Sequence, residues 1–485
     1  MQDAAPTEGM TAQFGTLTAD LIDAFRAIVG AEHALVDADQ QSPYLHEWRG
    51  DYTGVSPLIL RPGSVDEVAR VLALANAHRI AIVPQAGNTG LVGGQTPHTT
   101  NTEVVLTVER LKRVRACDPA GGTLTVDAGV TLLECQQAAA AHDRLFPLSL
   151  PSEGTCRIGG NIATNAGGVG VLAYGNTRQL IMGLEVVLAD GRVLSDLNTL
   201  KKNNTGYDLR NLFIGSEGTL GIVTGAVLRL FPLPAEKATA MVALPELGTA
   251  IDLLGLLQSA TGGALTAFEF IPRLMIELDC KHIKGARDPF NAAHPWYVLI
   301  ELSGAKAGGG TQALLEDTLM SASERGMLLD AVVAGSLQQQ KDLWLLREGI
   351  SEAQKPEGGN IKHDISVPVR AIPTFVAEAD ARVKAIAPDA RPIALGHFGD
   401  GNVHYNIIQP EGGDTAAFKA LAPAIHDAVY AVVADLGGSI SAEHGIGRIK
   451  RRQLAETKDP VALELMRDVK ALLDPNGILN PGKVL

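Results

Sequence analysis

Two histidines, His397 and His404, flank the segment Phe398-Gly399-Asp400-Gly401-Asn402-Val403. Asp-Gly is a strong two-residue hairpin signal. A turn centred on Asp400-Gly401 pairs His397 directly across from His404, on one face, with Cβ atoms about 4.5–5.5 Å apart, which is a chelating arrangement. Asn406, two residues on, faces the same side, and Phe398 and Val403 pair on the other. A lone histidine is more often structural; two in this register are not. A catalytic divalent site usually takes a third protein ligand and keeps an open position, and His₂Glu is a familiar zinc set. Glu443, in Ser441-Ala442-Glu443-His444-Gly445-Ile446-Gly447, is the candidate, its alternative being a solvated turn carboxylate. Neighbouring side chains in extended chain point to opposite faces, so Glu443 can bind an ion while His444 serves as a base.

A second group could grip a carboxylate. Arg347 and Ser351 stand four apart, hence on one helical face, and Lys362 follows in Asn360-Ile361-Lys362-His363-Asp364-Ile365-Ser366. An arginine fork with a lysine point charge suits a dicarboxylate, although spacing alone would favour ordinary surface charge.

A third set is made of glycine-rich loops: Pro84-Gln85-Ala86-Gly87-Asn88-Thr89-Gly90-Leu91 with Gly93-Gly94; Pro151-Ser152-Glu153-Gly154-Thr155 running through Ile158-Gly159-Gly160-Asn161 to Thr164-Asn165-Ala166-Gly167-Gly168; and Gly215-Ser216-Glu217-Gly218-Thr219-Leu220-Gly221. Such loops leave backbone N–H groups free to meet an anion. Together they favour a phosphate-bearing dinucleotide. The usual fingerprints fail, however. Gly168-Val169-Gly170-Val171-Leu172-Ala173 spells G-x-G-x-x-A but follows a polar loop instead of a buried strand, and neither a P-loop nor a G-x-S-x-G elbow is present.

The elements that must carry these residues can be read from periodicity. Helices are expected at Thr18–Val29, from Ser64 through Ala77 behind a Ser64/Glu67 capping box, at Leu132–His142, Leu247–Ala260, Gln312–Arg325, Leu337–Lys355, Thr374–Lys384 and Pro460–Leu473. Strands are expected at Pro57–Leu60, Ile80–Pro84, Val104–Val108, Thr123–Val126, Leu184–Leu188 and Val223–Leu230, which makes the first half α/β; Pro232-Leu233-Pro234 punctuates a change to a second domain. The 485 residues suffice for two to four domains, and the balance of 41 basic against 54 acidic residues, net −13, argues against nucleic acid. Cys117, Cys135, Cys156 and Cys280 are scattered without a C-x-x-C, Met1–Met10 lacks a secretory pattern, and the uncharged stretches Ile80–Thr102 and Ile158–Thr177 are too rich in Gly, Asn and Thr to span a membrane. These features predict a soluble, cytoplasmic protein.

The PQAGNTGLVGG, PSEGTCRIGGNIATNAGG and IGSEGTLGIVT stretches resemble the flavin-binding domain of the vanillyl-alcohol-oxidase (PCMH-type) family, above all its D-2-hydroxyacid dehydrogenase branch, and the resemblance covers nearly the whole chain. It implies an α+β architecture: a PCMH-type FAD-binding domain of two α/β subdomains with an N-terminal extension at 1–233, a substrate-binding cap with an antiparallel sheet at 234–440, and a segment at 441–485 returning to the flavin. It further implies that the flavin is met by the first two loops above, by Glu217, Gly221, Ile222 and Val223, and by Asn480. Some members bond the ring to a histidine of the first loop; residues 84–94 contain none, so FAD is expected to be non-covalent. In D-2-hydroxyglutarate dehydrogenases the corresponding positions make His397, His404 and Glu443 ligands of Zn²⁺ or another divalent metal and His444 the proton acceptor. The resemblance also assigns Arg347, Ser351 (threonine in relatives), Lys362, Asn406 and His444 to the substrate. The implied reaction is oxidation of a D-2-hydroxyacid, foremost D-2-hydroxyglutarate, with hydride passing to flavin N5. A D-lactate or glycolate preference, a metal-dependent hydrolase and an electron-passing subunit of a larger oxidase are the alternatives. An electron-transfer flavoprotein is the acceptor the family favours, and homodimerisation stays open.

Overall fold

The computed structural model describes residues 14–485, so the reading of Met1–Met10 lies outside it. Contacts divide the described residues into two compact units, one of residues 14–166, 176–232 and 444–485, the other of residues 167–175 and 233–443.

In the first unit, helix Ala19–Val29 starts where Thr18 accepts a hydrogen bond from the Leu21 N–H, and helix Val65–Ala77 starts where Ser64 accepts from Glu67 N at 3.1 Å. The Glu67 carboxylate turns to Gly63 N instead of Ser64 N, so this cap is only half of a capping box; the complete one is Thr131/Glu134 at the head of Leu132–Ala140. Strands Ile59–Leu60, Ala81–Gln85 and Glu103–Thr107 pair in parallel, with Ala34–Leu35 antiparallel at the edge. Besides a two-stranded pairing of Arg144–Leu145 with Phe231–Pro232, a five-stranded sheet departs from the α/β expectation. Its five strands, Val114–Asp118, Thr123–Asp127, Ile222–Arg229, Ile181–Val187 and Val193–Asp196 in spatial order, are antiparallel throughout. The reason is local: Thr123–Asp127 follows Val114–Asp118 after a four-residue turn, too short for the helical crossover a parallel pair needs.

The chain's last residues are built into this unit. Lys483 has no exposed side-chain surface, and its Nζ lies 3.2 Å from Glu103 Oε1 and 3.3 Å from His98 Nδ1. Asn480 donates to the carbonyls of Gly94 and Glu217.

The second unit is one seven-stranded antiparallel sheet with helices against it. Its strands are β1 (Glu236–Leu244), β2 (Leu265–Pro272), β3 (Trp296–Gly304), β4 (Asp330–Val333), β5 (Asn360–Ser366), β6 (Arg391–His397) and β7 (Asn402–Ile408), in the order β4-β1-β3-β2-β6-β7-β5. Helices α1 (Arg273–His282), α2 (Leu337–Glu348) and α3 (Ile350–Ala353) pack a shared core: Met275 and Ile276 of α1, Leu343 and Leu346 of α2 and Ile350 of α3 meet Ile393 and Leu395 of β6. The single helix expected over 337–355 is broken at Gly349. A Cβ there would lie 2.9 Å from the Leu345 carbonyl and 3.2 Å from Asp279 Oδ1, so only glycine admits this approach. Among the described residues no helix is long and apolar enough to cross a membrane.

Candidate active site

The hairpin β6–β7 does not have the register its Asp-Gly suggested. His404 pairs with Leu395, Tyr405 with Ala394 and Asn406 with Ile393, two residues away from a His397–His404 pair. Phe398 causes the difference. It is fully buried, edge-on to Phe268 (5.8 Å between ring centroids) and Phe270 (5.6 Å), which draws Phe398–Asp400 out of the ladder into a short 3₁₀ turn closed by Gly401 at φ 88°. Phe398 and Val403 therefore do not pair. A slip of two preserves which face each side chain takes, so the two imidazoles still meet, diagonally, with ring centroids 5.5 Å apart.

His397, His404 and Glu443 all belong to the second unit, and their ligand atoms lie within 4.8 Å of one another, with His397 Nε2 3.3 Å from Glu443 Oε1. Two carboxylates that the sequence reading missed organise this cluster. Glu269 stands opposite His397 where β2 pairs with β6; its Oε1 lies 2.7 Å from His397 Nδ1, and its Oε2 accepts from Arg347 Nε at 2.8 Å. Asp364 of β5 pairs with His404 across β7 and accepts from Glu443 N at 3.0 Å and Asn402 Nδ2 at 3.0 Å. Their signals were present: a lone acid in the apolar run Ala267-Phe268-Glu269-Phe270-Ile271, and Asp364 two positions from Lys362, on the same strand face.

The two histidines are driven apart electrostatically. Burial opposes a charged His397, but Glu269 and Glu443 override it and hold its pKa at about 10. Burial takes His404 down to about 4 against the pull of Glu443 and Asp364. The cluster thus already stabilises one positive charge, on His397 Nε2, the atom facing Glu443. A divalent cation fits the same position by displacing that proton, and a carboxylate behind the ligating imidazole is the usual support for a metal-binding histidine.

Lys362 pairs with Asn406 across β5–β7, and since residues two apart share a face, both stand on the side that carries Asp364 and His404. Asn406 Nδ2 is engaged by Gln354 Oε1 at 3.1 Å. Arg347 reaches this side through Glu269, whereas Ser351 is exposed beyond the break at Gly349. His444 falls in the first unit, one residue past Glu443.

In the first unit the glycine-rich loops converge. A Cβ on Gly87 would stand 2.4 Å from the Thr155 carbonyl, and one on Gly218 2.7 Å from Pro84 Cγ, so Pro84–Leu91, Pro151–Thr155 and Gly215–Gly221 crowd together. Among the described residues, the backbone N–H groups of residues 87–91 donate no hydrogen bond, and Asn88 Oδ1 and Asn480 Oδ1 are buried without a partner. Such a cradle of free donors fits a dinucleotide's pyrophosphate. Not every expected flavin residue is free to serve. The N–H groups of Ile158 and Gly159 are taken by the carbonyls of Val130 and Ala128, Ile222 and Val223 pair with Val187 and Val186, and Glu217 accepts from Ile446 N at 2.7 Å and Gly447 N at 2.8 Å. Gly167 and Gly168 group with the second unit, where a Cβ on Gly167 would meet Glu443 Oε1 at 3.2 Å.

Residues 56–196 match a model of the FAD binding domain, and residues 233–484 match the C-terminal domain of FAD linked oxidases. A probable D-2-hydroxyglutarate dehydrogenase, mitochondrial, of Oryza sativa subsp. indica is 40% identical over 97% of this chain and 83% of its own length. The D-2-hydroxyglutarate dehydrogenase, mitochondrial, of Rattus norvegicus is 37% identical over 97% and 86%. These names overturn the cytoplasmic expectation. Scattered thiols speak for a reducing compartment and do not distinguish one such compartment from another. The structure of p-cresol methylhydroxylase superposes with a TM-score of 0.72 over 99% of this chain and 98% of that one at 17% identity, a likeness of fold. With both domain models matched and the rice and rat relatives aligned over nearly its full length, the chain belongs to the family of FAD-linked oxidases.

Proposed function

We propose that this enzyme oxidises a D-2-hydroxyacid, foremost D-2-hydroxyglutarate, to the 2-oxoacid, using FAD and a divalent metal ion, zinc by preference. The observation that carries the reading is the His397/His404/Glu443 cluster tied through one buried carboxylate, Glu269, to Arg347. The names of the rice and rat relatives, both D-2-hydroxyglutarate dehydrogenases, support it independently.

FAD would be held, without a covalent bond, by Pro84–Leu91, Pro151–Thr155, Gly160–Asn161, Thr164–Asn165 and Asn480, and when bound it supplies the acceptor for the hydride leaving C2. The metal would sit on His397, His404 and Glu443 and supplies Lewis acidity that lowers the pKa of the substrate's 2-hydroxyl. The chain's own residues do the rest. His444 takes the hydroxyl proton as general base. Arg347 offers the part of its fork not used by Glu269 to the distal carboxylate, with Lys362 beside it as a point charge and Asn406 as a neutral donor. Ser351, exposed on α3 beyond Gly349, retains the hydroxyl that the threonine of relatives would offer. Fixing both ends of the substrate converts binding into orientation at C2. An electron-transfer flavoprotein is the proposed re-oxidant.

The test is anaerobic mixing of purified enzyme with D-2-hydroxyglutarate, D-malate, D-lactate and glycolate, followed by flavin absorbance with and without a chelator. Rapid, chelator-sensitive bleaching by the dicarboxylates is expected. Bleaching by lactate or glycolate alone would remove the Arg347/Lys362 clamp, and a protein that stays colourless after FAD addition would return the reading to a metal hydrolase.

A further inference from the structure

Glu217 lies in the third glycine-rich loop, yet its carboxylate is engaged by a different segment of the chain. Its Oε1 accepts from Ile446 N at 2.7 Å and its Oε2 from Gly447 N at 2.8 Å. Two successive backbone N–H groups turned toward one anion form a nest. The turn that makes this nest follows His444 directly. Gly445 stands at φ 86°, and a Cβ there would lie 2.7 Å from Glu217 Oε1, so only glycine lets the carboxylate press against the residue next to His444. Past the nest the chain is tied down as well, Arg448 N donating to Val92 O at 2.9 Å and Gly447 O accepting from Val484 N at 2.9 Å. Glu217 is itself firmly held. Its backbone takes φ 51°, a left-handed conformation that is rare for a glutamate and persists only where the surroundings enforce it. Here its N–H donates to Ala163 O at 2.7 Å and its carbonyl accepts from Asn480 Nδ2 at 2.8 Å.

We propose that Glu217 is a positioning residue for His444: its carboxylate clasps the turn Gly445–Gly447 and so fixes the backbone from which the imidazole is presented. The inference rests on the reading of His444 as the general base given above. A base works only within hydrogen-bond reach of the proton it removes, and a misplacement of about 1 Å can cost about 100-fold in rate. Holding the two residues that follow Gly445 removes the freedom that would produce such a misplacement. Substrate affinity is a separate matter, because Arg347 and Lys362 stand on α2 and β5. The effect of Glu217 should therefore appear in kcat.

The experiment measures kcat, KM and flavin content of the holoenzyme with D-2-hydroxyglutarate, with and without sodium formate, in the wild type, Glu217→Gln, Glu217→Ala and His444→Asn. Rates are taken per bound flavin, and the wild type with formate is the control. Glu217→Gln keeps one acceptor for two N–H groups and should lower kcat about tenfold, Glu217→Ala keeps none and should lower it about 100-fold, and KM should stay within about twofold in both. Glu217 is only partly buried, so formate can reach the vacated nest and should restore much of the lost kcat in Glu217→Ala but not in His444→Asn. Should the alanine variant fail to fold, the near-isosteric glutamine variant carries the test alone. An unchanged kcat in the glutamine variant, a loss carried by KM alone, or a loss of flavin with the remaining holoenzyme at full kcat overturns the inference. So does an alanine variant that formate leaves slow. If His444→Asn keeps wild-type kcat, the general-base reading fails; if His444→Asn loses kcat while the Glu217 variants do not, only the role of Glu217 is lost.

Discussion

Glu269 and His397 stand opposite each other on neighbouring strands, and the one carboxylate of Glu269 serves two groups, His397 Nδ1 at 2.7 Å and Arg347 Nε at 2.8 Å. The candidate metal ligand and the candidate substrate clamp are thus oriented by a single buried residue, 1% exposed.

Glu269→Gln should therefore affect both ends. Loss of a supporting carboxylate behind a ligating histidine typically weakens metal binding about 10–100-fold. Metal retained per flavin after dialysis against a graded chelator should fall accordingly, with KM for the dicarboxylate rising in the same variant. Unchanged metal retention would sink the assignment.

The same pair sets a pH dependence of stability in metal-free enzyme. His397 has a pKa of about 10 when folded against an unfolded value of 6.5, so its contribution is fully present below pH 6.5 and is lost as pH rises to 10. Urea unfolding should show the wild type's advantage over Glu269→Gln shrinking between pH 7 and 10. An advantage that grows with pH would contradict the pairing.

His444→Asn should lower kcat by about 10²–10⁴, the usual worth of a general base. Flavin content and metal content should stay near wild type. If turnover survives, the proton goes elsewhere and Asp364, beside His404, becomes the group to examine.

Lys483→Met removes the ammonium 3.2 Å from Oε1 of buried Glu103 and leaves that carboxylate to His98, whose Nδ1 lies 3.0 Å away. A buried charge stripped of every partner costs about 3–5 kcal/mol, and with His98 retained the loss should fall at the lower end of that range. The midpoint of urea unfolding should drop, and Glu103→Gln in the same chain should recover part of the loss.

Much of this protein was legible in its sequence because local rules decided it. Helix Pro460–Leu473 and the start of Val65–Ala77 lie where caps and periodicity place them. What escaped depended on contacts remote in sequence. The Phe268 and Phe270 rings that capture Phe398, and so reset the hairpin, lie on another strand. At Gly349, between two helical segments, the absence of a side chain leaves room for Ile283 and Asp279, residues about 70 positions earlier in the chain. Glu269 was visible as a lone acid in an apolar run, but its partners, 128 residues away at His397 and 78 away at Arg347, are supplied only by the fold.

The reset hairpin has a consequence for how this family can change length. Deleting one residue from the turn Phe398–Gly401, if absorbed by sliding β7 along β6, would turn His404 and Asn406 away from His397, whereas deleting two would keep them facing it. Insertions and deletions in this turn are therefore expected in even steps, a parity constraint on natural descendants and on any engineered shortening alike.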